Sequence, residues 1–343
     1  MRVLSGLLAA IAVLGAVSGG QPADKNAKTK AAKTAALATP RNGVKTPGVQ
    51  IPFASLKAEA TIDAPSKPAW IFFSAGSVFV PDQATLQKID GKTNKPGDPV
   101  TGLKHPCGGM VSAFGSLWVP DCESQSLLRI DPKTDKVTAT IGSGAVDVTG
   151  SIASSPDSVW LLSDKKATLS RIDPDQNAVV GEFRLPADCR SLAFGETSLW
   201  VACRSEGKIL RISPATNLVD KTIDVSAVPE SIAFGENSVW VLCLKDGKVD
   251  RIDPKTNKVT KTIDLNISGA EGSLAFGEGA LWVTMTGFPL TRIDPQSETV
   301  AQQFYGAGGG AIQTSAGAIW LSNRAEGKLL RIDPKRVLAT LAE

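Results

Sequence analysis

The chain has 343 residues, with 37 Lys and Arg against 34 Asp and Glu, one His and five Cys. A single histidine excludes a histidine-built metal centre. The formal net charge of +3 is concentrated in the N-terminal segment, which excludes a basic body of the kind that binds nucleic acid.

In chain order, residues 1–18 read as a signal peptide. Arg2 is a short basic start, Val3 to Val17 is an apolar run, and Ala16 and Ser18 are small residues at −3 and −1 of a cut after Ser18. The run is too short and too rich in Ala and Gly for a membrane span, which needs about 20 apolar residues. No second apolar run follows, so no membrane span is expected and the product should be secreted or periplasmic. Residues 19–49 contain Lys, Ala, Thr, Gly and Pro with almost no large apolar side chains. Such a segment cannot bury enough surface to offset its ordering entropy and reads as a disordered linker. It carries Lys25, Lys28, Lys30, Lys33, Arg41 and Lys45 against Asp24. Removing these and Arg2 from the totals of 37 and 34 leaves 30 basic and 33 acidic residues in 50–343, so the body is slightly acidic.

Residues 50–343 are built on one phrase, an apolar strand around an aromatic anchor followed by Arg-Ile-Asp-Pro. The anchors are Phe79, Trp118, Trp160, Trp200, Trp240, Trp282 and Trp320, spaced 39, 42, 40, 40, 42 and 38 residues apart. A period near forty marks a repeat protein in which one unit cannot bury its own faces. In the unit Ser231 to Asp264, four short strands alternate with the turns Gly235-Glu236-Asn237, Lys245-Asp246-Gly247 and Asp253-Pro254-Lys255-Thr256-Asn257. Four antiparallel strands per forty residues make one blade, and seven anchors predict an all-β, seven-bladed β-propeller over 50–343. The repeated Trp reads as packing between blades. The repeated Arg reads as an ion pair between blades or with the nearby Asp. Two segments compete for the outermost strand of the last blade: Ala58–Asp63, which would close the ring from the N-terminus, and Val337–Leu341.

Cys107 and Cys189 each lie eleven residues before their Trp, and Cys122 and Cys203 lie four and three residues after theirs. Each pair brackets one hairpin, which predicts Cys107–Cys122 and Cys189–Cys203 with Cys243 free. A rival pairing is Cys203–Cys243, at equivalent positions of adjacent blades.

The first strand of each blade lines the axis, where space is tight. The residue nine before the anchor is Gly109, Ser151, Ser191, Ser231, Ser273 or Ala311, but Trp70 in the first unit. The loops at the same end carry His105, Asp121, Arg190, Arg204, Glu230, Glu271, Asn323 and Arg324, which differ from blade to blade, as functional loop residues do. With Trp70 they are the candidate ligand-binding set. No Gly-x-Ser-x-Gly elbow, phosphate-binding loop or Asp-x-Asp-x-Asp-Gly calcium loop occurs.

The recurring Ser-Ile-Ala-Phe-Gly-Glu…Ser-Val-Trp-Val…Arg-Ile-Asp-Pro phrase resembles bacterial YVTN-type repeat propellers and the streptogramin (virginiamycin B) lyase-like superfamily over about residues 55–343. The resemblance implies an exported or surface propeller, and the Cys107…Trp118…Cys122 hairpin is similar to one in such relatives. It also implies an alternative activity. The lyase uses histidine and glutamate around magnesium, for which His105, Glu230 and Glu271 would stand. Lactonase-type propellers hold calcium with Glu, Asn and Asp, for which Glu271, Asn323 and Asp121 would stand. The anchors here read Ser-Leu-Trp-Val where the lyase has Trp-Phe-Thr-Glu. The leading expectation is therefore a monomeric, non-enzymatic propeller without a cofactor or metal, binding a small molecule or protein partner through the irregular end of its ring. The alternative is a metal-assisted lyase or lactonase using calcium or magnesium.

Overall fold

The structure, a computed structural model, describes residues 42–340 apart from 65–66, 146–149 and 165–166. The signal peptide and the linker up to residue 41 lie outside the described residues. Seven sheets form the ring, each with its first strand innermost. Blade 5 shows the plan. Pro229–Gly235, Ser238–Cys243, Lys248–Asp253 and Lys258–Asp264 pair antiparallel in sequence order, with Trp240 opposite both Ala233 and Arg251. Asn237 and Asn257, in the turns, adopt positive φ, a conformation Asn tolerates better than most residues.

The core lies between the blades. Trp200 of blade 4 packs with Val239 and Val241 of blade 5, and Trp160 of blade 3 with Leu199 and Val201 of blade 4. All six anchor tryptophans and Phe79 are essentially fully buried. Burial strands the indole N–H unless it finds an acceptor. In Trp200, Trp240 and Trp282 it donates to the carbonyl of the glycine five residues earlier, Gly195, Gly235 and Gly277.

The Phe-Gly pair that ends each of these inner strands also has a steric cause. A Cβ on Gly195 would lie 2.1 Å from Phe234 of the next blade, and one on Gly235 would lie 2.0 Å from Phe276. Each Phe ring therefore lies on the bare backbone of the preceding blade's glycine.

The repeated Arg forms the expected ion pairs only in part: with an acid of the next blade at Arg251–Glu298, and with a nearby Asp at Arg171–Asp157 and Arg292–Asp294. It lies over the Trp ring of its own blade, 5.0–5.1 Å from the centroid for Arg129, Arg171, Arg211 and Arg251. Arg129, Arg171 and Arg211 then donate to a neutral pair on the next blade: the carbonyl of Pro174, Pro214 or Pro254, and the side chain of Asn177, Asn217 or Asn257. An ion pair replaces this link where the turn residue is acidic, at Lys88–Asp135 and Arg251–Glu298. Arg331 makes the ring-closing version, reaching Asn94 of blade 1 at 3.4 Å. Arg292 has no such partner because blade 7 lacks the turn, and it folds back on Gln302 and Asp294.

Ala60–Asp63 is the outermost strand of blade 7, antiparallel to Lys328–Ile332. Residues 337–339 of the rival segment lie instead in the helix Pro334–Ala339, for which Asp333 is the N-cap and Pro334 the first residue. Blade 1 has three strands, and its fourth is reduced to the bridges Leu86–Val100 and Ile89–Pro96. Pro96 and Pro99 lack the N–H groups a fourth strand needs. Residues 42–49, placed in the linker by composition, instead lie against blade 6. Val44 N–H donates to buried Gln303, Gly43 N–H to Asn266 O, and Gln50–Pro52 adds a parallel fifth strand beside Thr299–Tyr305. Composition misses this because the anchoring bonds are made by backbone groups and Gln303, and only Val44 and Val49 supply buried apolar side chains. Among the described residues no helix is long and apolar enough to cross a membrane.

Candidate functional site at the axial mouth

Strand direction alternates within a blade, so the turns between strands 2 and 3 and the connections from one blade to the next share one end of the ring. That end opens into an axial cavity of about 1140 Å³. Small residues on the inner strands make the room, and they also hold it. The Ser151, Ser191 and Ser231 hydroxyls accept the N–H of Leu192, Ile232 and Leu274 on the following blade, at 3.1–3.2 Å. Sequence reasoning saw only the size of this position; the choice of Ser over Ala was the signal for the bond.

Seven of the nine candidate residues line the cavity: Trp70, His105, Arg190, Arg204, Glu230, Glu271 and Arg324. They sit in two arcs. On blades 1 and 2 the wall is Pro68, Trp70, Phe72 and Met110, with exposed His105 at its rim. Gly109 lies beside the Trp70 ring, where a Cβ would meet Cζ3 at 3.5 Å, ordinary contact. On blades 4 to 7 the wall is charged and paired. Arg190 Nε lies 2.6 Å from Asp188, Arg204 Nε 2.7 Å from Glu230 Oε2, and Arg324 3.2 Å from Glu271. Burial pushes the Glu230 carboxyl above its ordinary range, against the pull of Arg204 and Arg190; the negative charges of Asp188 and Glu271 add to the rise.

Asp121 and Asn323 are buried and do not line the cavity. Asp121 accepts N–H bonds from Lys104, His105 and Ser124. Burial alone would raise its carboxyl, but these bonds outweigh burial and leave it below the usual range. Asn323 accepts the N–H of Glu326 and shapes a turn. Asp188 and Met110 were missed; Asp188, beside Cys189 and two residues before Arg190, was the readable one.

The predicted disulfides Cys107–Cys122 and Cys189–Cys203 are present, and Cys243 is buried and unpaired with any other cysteine. Both bridges lie at the mouth. The second ties Cys189, flanked by Asp188 and Arg190, to Cys203, which precedes Arg204. It therefore fixes two of the three arginines that line the cavity.

No protein-family profile matches the chain, and no curated protein matches it. Solved structures share its fold. In one, titled "Crystal Structure of Mitotic Checkpoint Complex", a chain superposes with a TM-score of 0.69 at 12% identity, covering 96% of this chain and 98% of that one. At that identity the likeness is one of fold.

The donor set at the mouth does not fit the magnesium or calcium implied by lyase-like or lactonase-like propellers. Such an ion needs several oxygen ligands free to converge on it. Here Glu230 and Glu271 each face a guanidinium, the Asp121 oxygens are taken by backbone N–H groups, and among the described residues no three His, Cys, Asp or Glu form a group able to hold an ion.

Proposed function

We propose that this propeller is a binding module whose ligand enters the axial mouth. The carrying observation is convergence. Seven residues that vary from blade to blade, drawn from six of the seven blades or their adjoining loops, face one cavity, whereas the opposite end repeats the same turn and the same interblade link. A rigid scaffold presenting variable loops around a partly apolar cavity with a few fixed polar groups is the usual construction of a ligand site. The two disulfides at its rim are consistent with an extracellular or periplasmic location. The ion pairs that occupy the carboxylates favour binding over metal-assisted lyase or lactonase chemistry.

The test is a thermal-shift screen of small organic compounds on the full chain, run in parallel on wild type and Trp70→Ala. The expected outcome is a set of compounds that raise the Tm of wild type and not of the variant. Equal stabilisation of both proteins by every active compound would overturn the proposal.

A further inference from the structure

The charged arc has an asymmetry that points to the chemistry of the ligand. The Nε of Arg204 is enclosed against Glu230 Oε2, and both atoms are buried. The two terminal nitrogens of Arg204 have no hydrogen-bond partner among the described residues, and the side chain lines the cavity. Arg190 is similar: its Nε is held by Asp188, and its terminal nitrogens are unpartnered among the described residues. Two guanidiniums thus present their ends to one space, pinned by the Cys189–Cys203 bridge. A guanidinium fork is matched by a planar anion that accepts two parallel N–H bonds.

Each arginine of the arc already faces one carboxylate: Asp188, Glu230 or Glu271. A ligand carboxylate must therefore compete with one of these counter-ions. Glu230 is the weakest of the three counter-ions, because burial already disfavours its charged form and Asp188 and Glu271 repel it. Opposite this arc, Pro68, Trp70, Phe72 and Met110 form the apolar wall, which suits an uncharged aromatic or aliphatic body.

We infer that the mouth takes an amphipathic organic carboxylate, its carboxylate group on the Arg190–Arg204 pair in competition with Glu230 and its apolar body against Trp70. This rests on the reading of the mouth as the binding site and adds the class of ligand.

Titration calorimetry on the full chain, with naphthalene-2-carboxylate, 2-naphthylmethanol and 2-naphthylmethylammonium as probes, tests it. The carboxylate should bind at least about tenfold more tightly than the alcohol, the equivalent of one charge-assisted contact, and the ammonium should bind least. Arg204→Gln should remove that advantage and leave alcohol binding unchanged. Glu230→Gln removes the competing anion and should tighten carboxylate binding several-fold, a gain that misfolding would not produce. Trp70→Ala should weaken carboxylate and alcohol alike.

Equal affinity for the three probes, with all binding lost in Trp70→Ala, would overturn the carboxylate assignment and leave the mouth as the site. Carboxylate binding unaffected by Arg204→Gln, Glu230→Gln and Trp70→Ala would overturn both. Inorganic phosphate competing as well as the carboxylate would show a simple anion site and overturn the amphipathic assignment.

Discussion

At one end of the ring the turn Asp253-Pro254-Lys255-Thr256-Asn257 and its counterparts recur nearly unchanged. Each receives an Arg or Lys from the blade before it at six of the seven junctions, the exception being the junction after Arg292. At the other end most blades present different side chains, with Arg recurring only at Arg204 and Arg324, and two disulfides hold the loops of blades 2 and 4. The same blades make both ends. At the turn end a side chain serves its neighbouring blade, so identical solutions propagate around the ring. At the mouth the side chains face a shared space, so each position is free to differ. Periodicity therefore marks stability, and its failure marks function.

The sharpest way to break the comparison is at the turn end of an inner strand. Gly235→Ala places a Cβ 2.0 Å from Phe276 and should cost about 3 kcal/mol or more, measured by urea denaturation. If it instead weakened ligand binding without loss of stability, the division between the two ends would fail. The double variant Cys189→Ser with Cys203→Ser opens a loop of 14 residues and should lose about 2–3 kcal/mol. Unlike Gly235→Ala, it should also loosen Arg190 and Arg204 and weaken binding at the mouth. Arg211→Ala removes bonds to Ser198, Pro254 and Asn257 and the contact over Trp200. It should cost about 2 kcal/mol and leave mouth binding unchanged in calorimetry.

The smallest effect is one of pH, and its sign differs between the turn aspartates and Glu230. Asp90, Asp131, Asp173, Asp253 and Asp294 accept backbone N–H bonds in their turns, which hold their carboxyls below the ordinary value of 3.8. Their contribution is present above that value and is lost as pH falls through the lowered one. Glu230 is raised above its ordinary value of 4.5 by burial, so the contribution of its protonated form is complete below 4.5 and is lost as pH rises through the raised value. Denaturation across pH should show Asp253→Asn converging on wild type in acid. Wild type should lose stability relative to Glu230→Gln as pH rises above 4.5. Parallel pH profiles for the two variants would remove the electrostatic side of the comparison.

The ring itself was legible in the spacing of seven anchors, because an aromatic ring that must stay dry between blades, Trp in six and Phe79 in the first, recurs at every junction. The two disulfides were legible from their symmetric placement around a hairpin. The interblade arginine link was legible only in part: the partner of Arg211 is Asn257, 46 residues away, and only the ring brings them together. Asp121 was misplaced because a buried, fully bonded aspartate and a cavity-facing one look alike in sequence. The ion pairs of the mouth were hidden for the same reason. Except for Asp188 and Arg190, their members are single residues on different blades, and no local pattern records which acid faces which base.

Because Ala60–Asp63 is the outer strand of the last blade, its pairing with Lys328–Ile332 spans nearly the whole domain. Asp63 and Lys328, which meet there, are 265 residues apart in the chain. During synthesis an early strand must wait, unmatched, until the final repeat has left the ribosome. Until then the nascent product is a crescent with two bare rims rather than a closed wheel. Closing so long a loop adds little thermodynamic cost over a shorter one, but such non-local pairing is slow. The vulnerable period of this protein's life is therefore the interval between the last repeat's arrival and the clasping of its first.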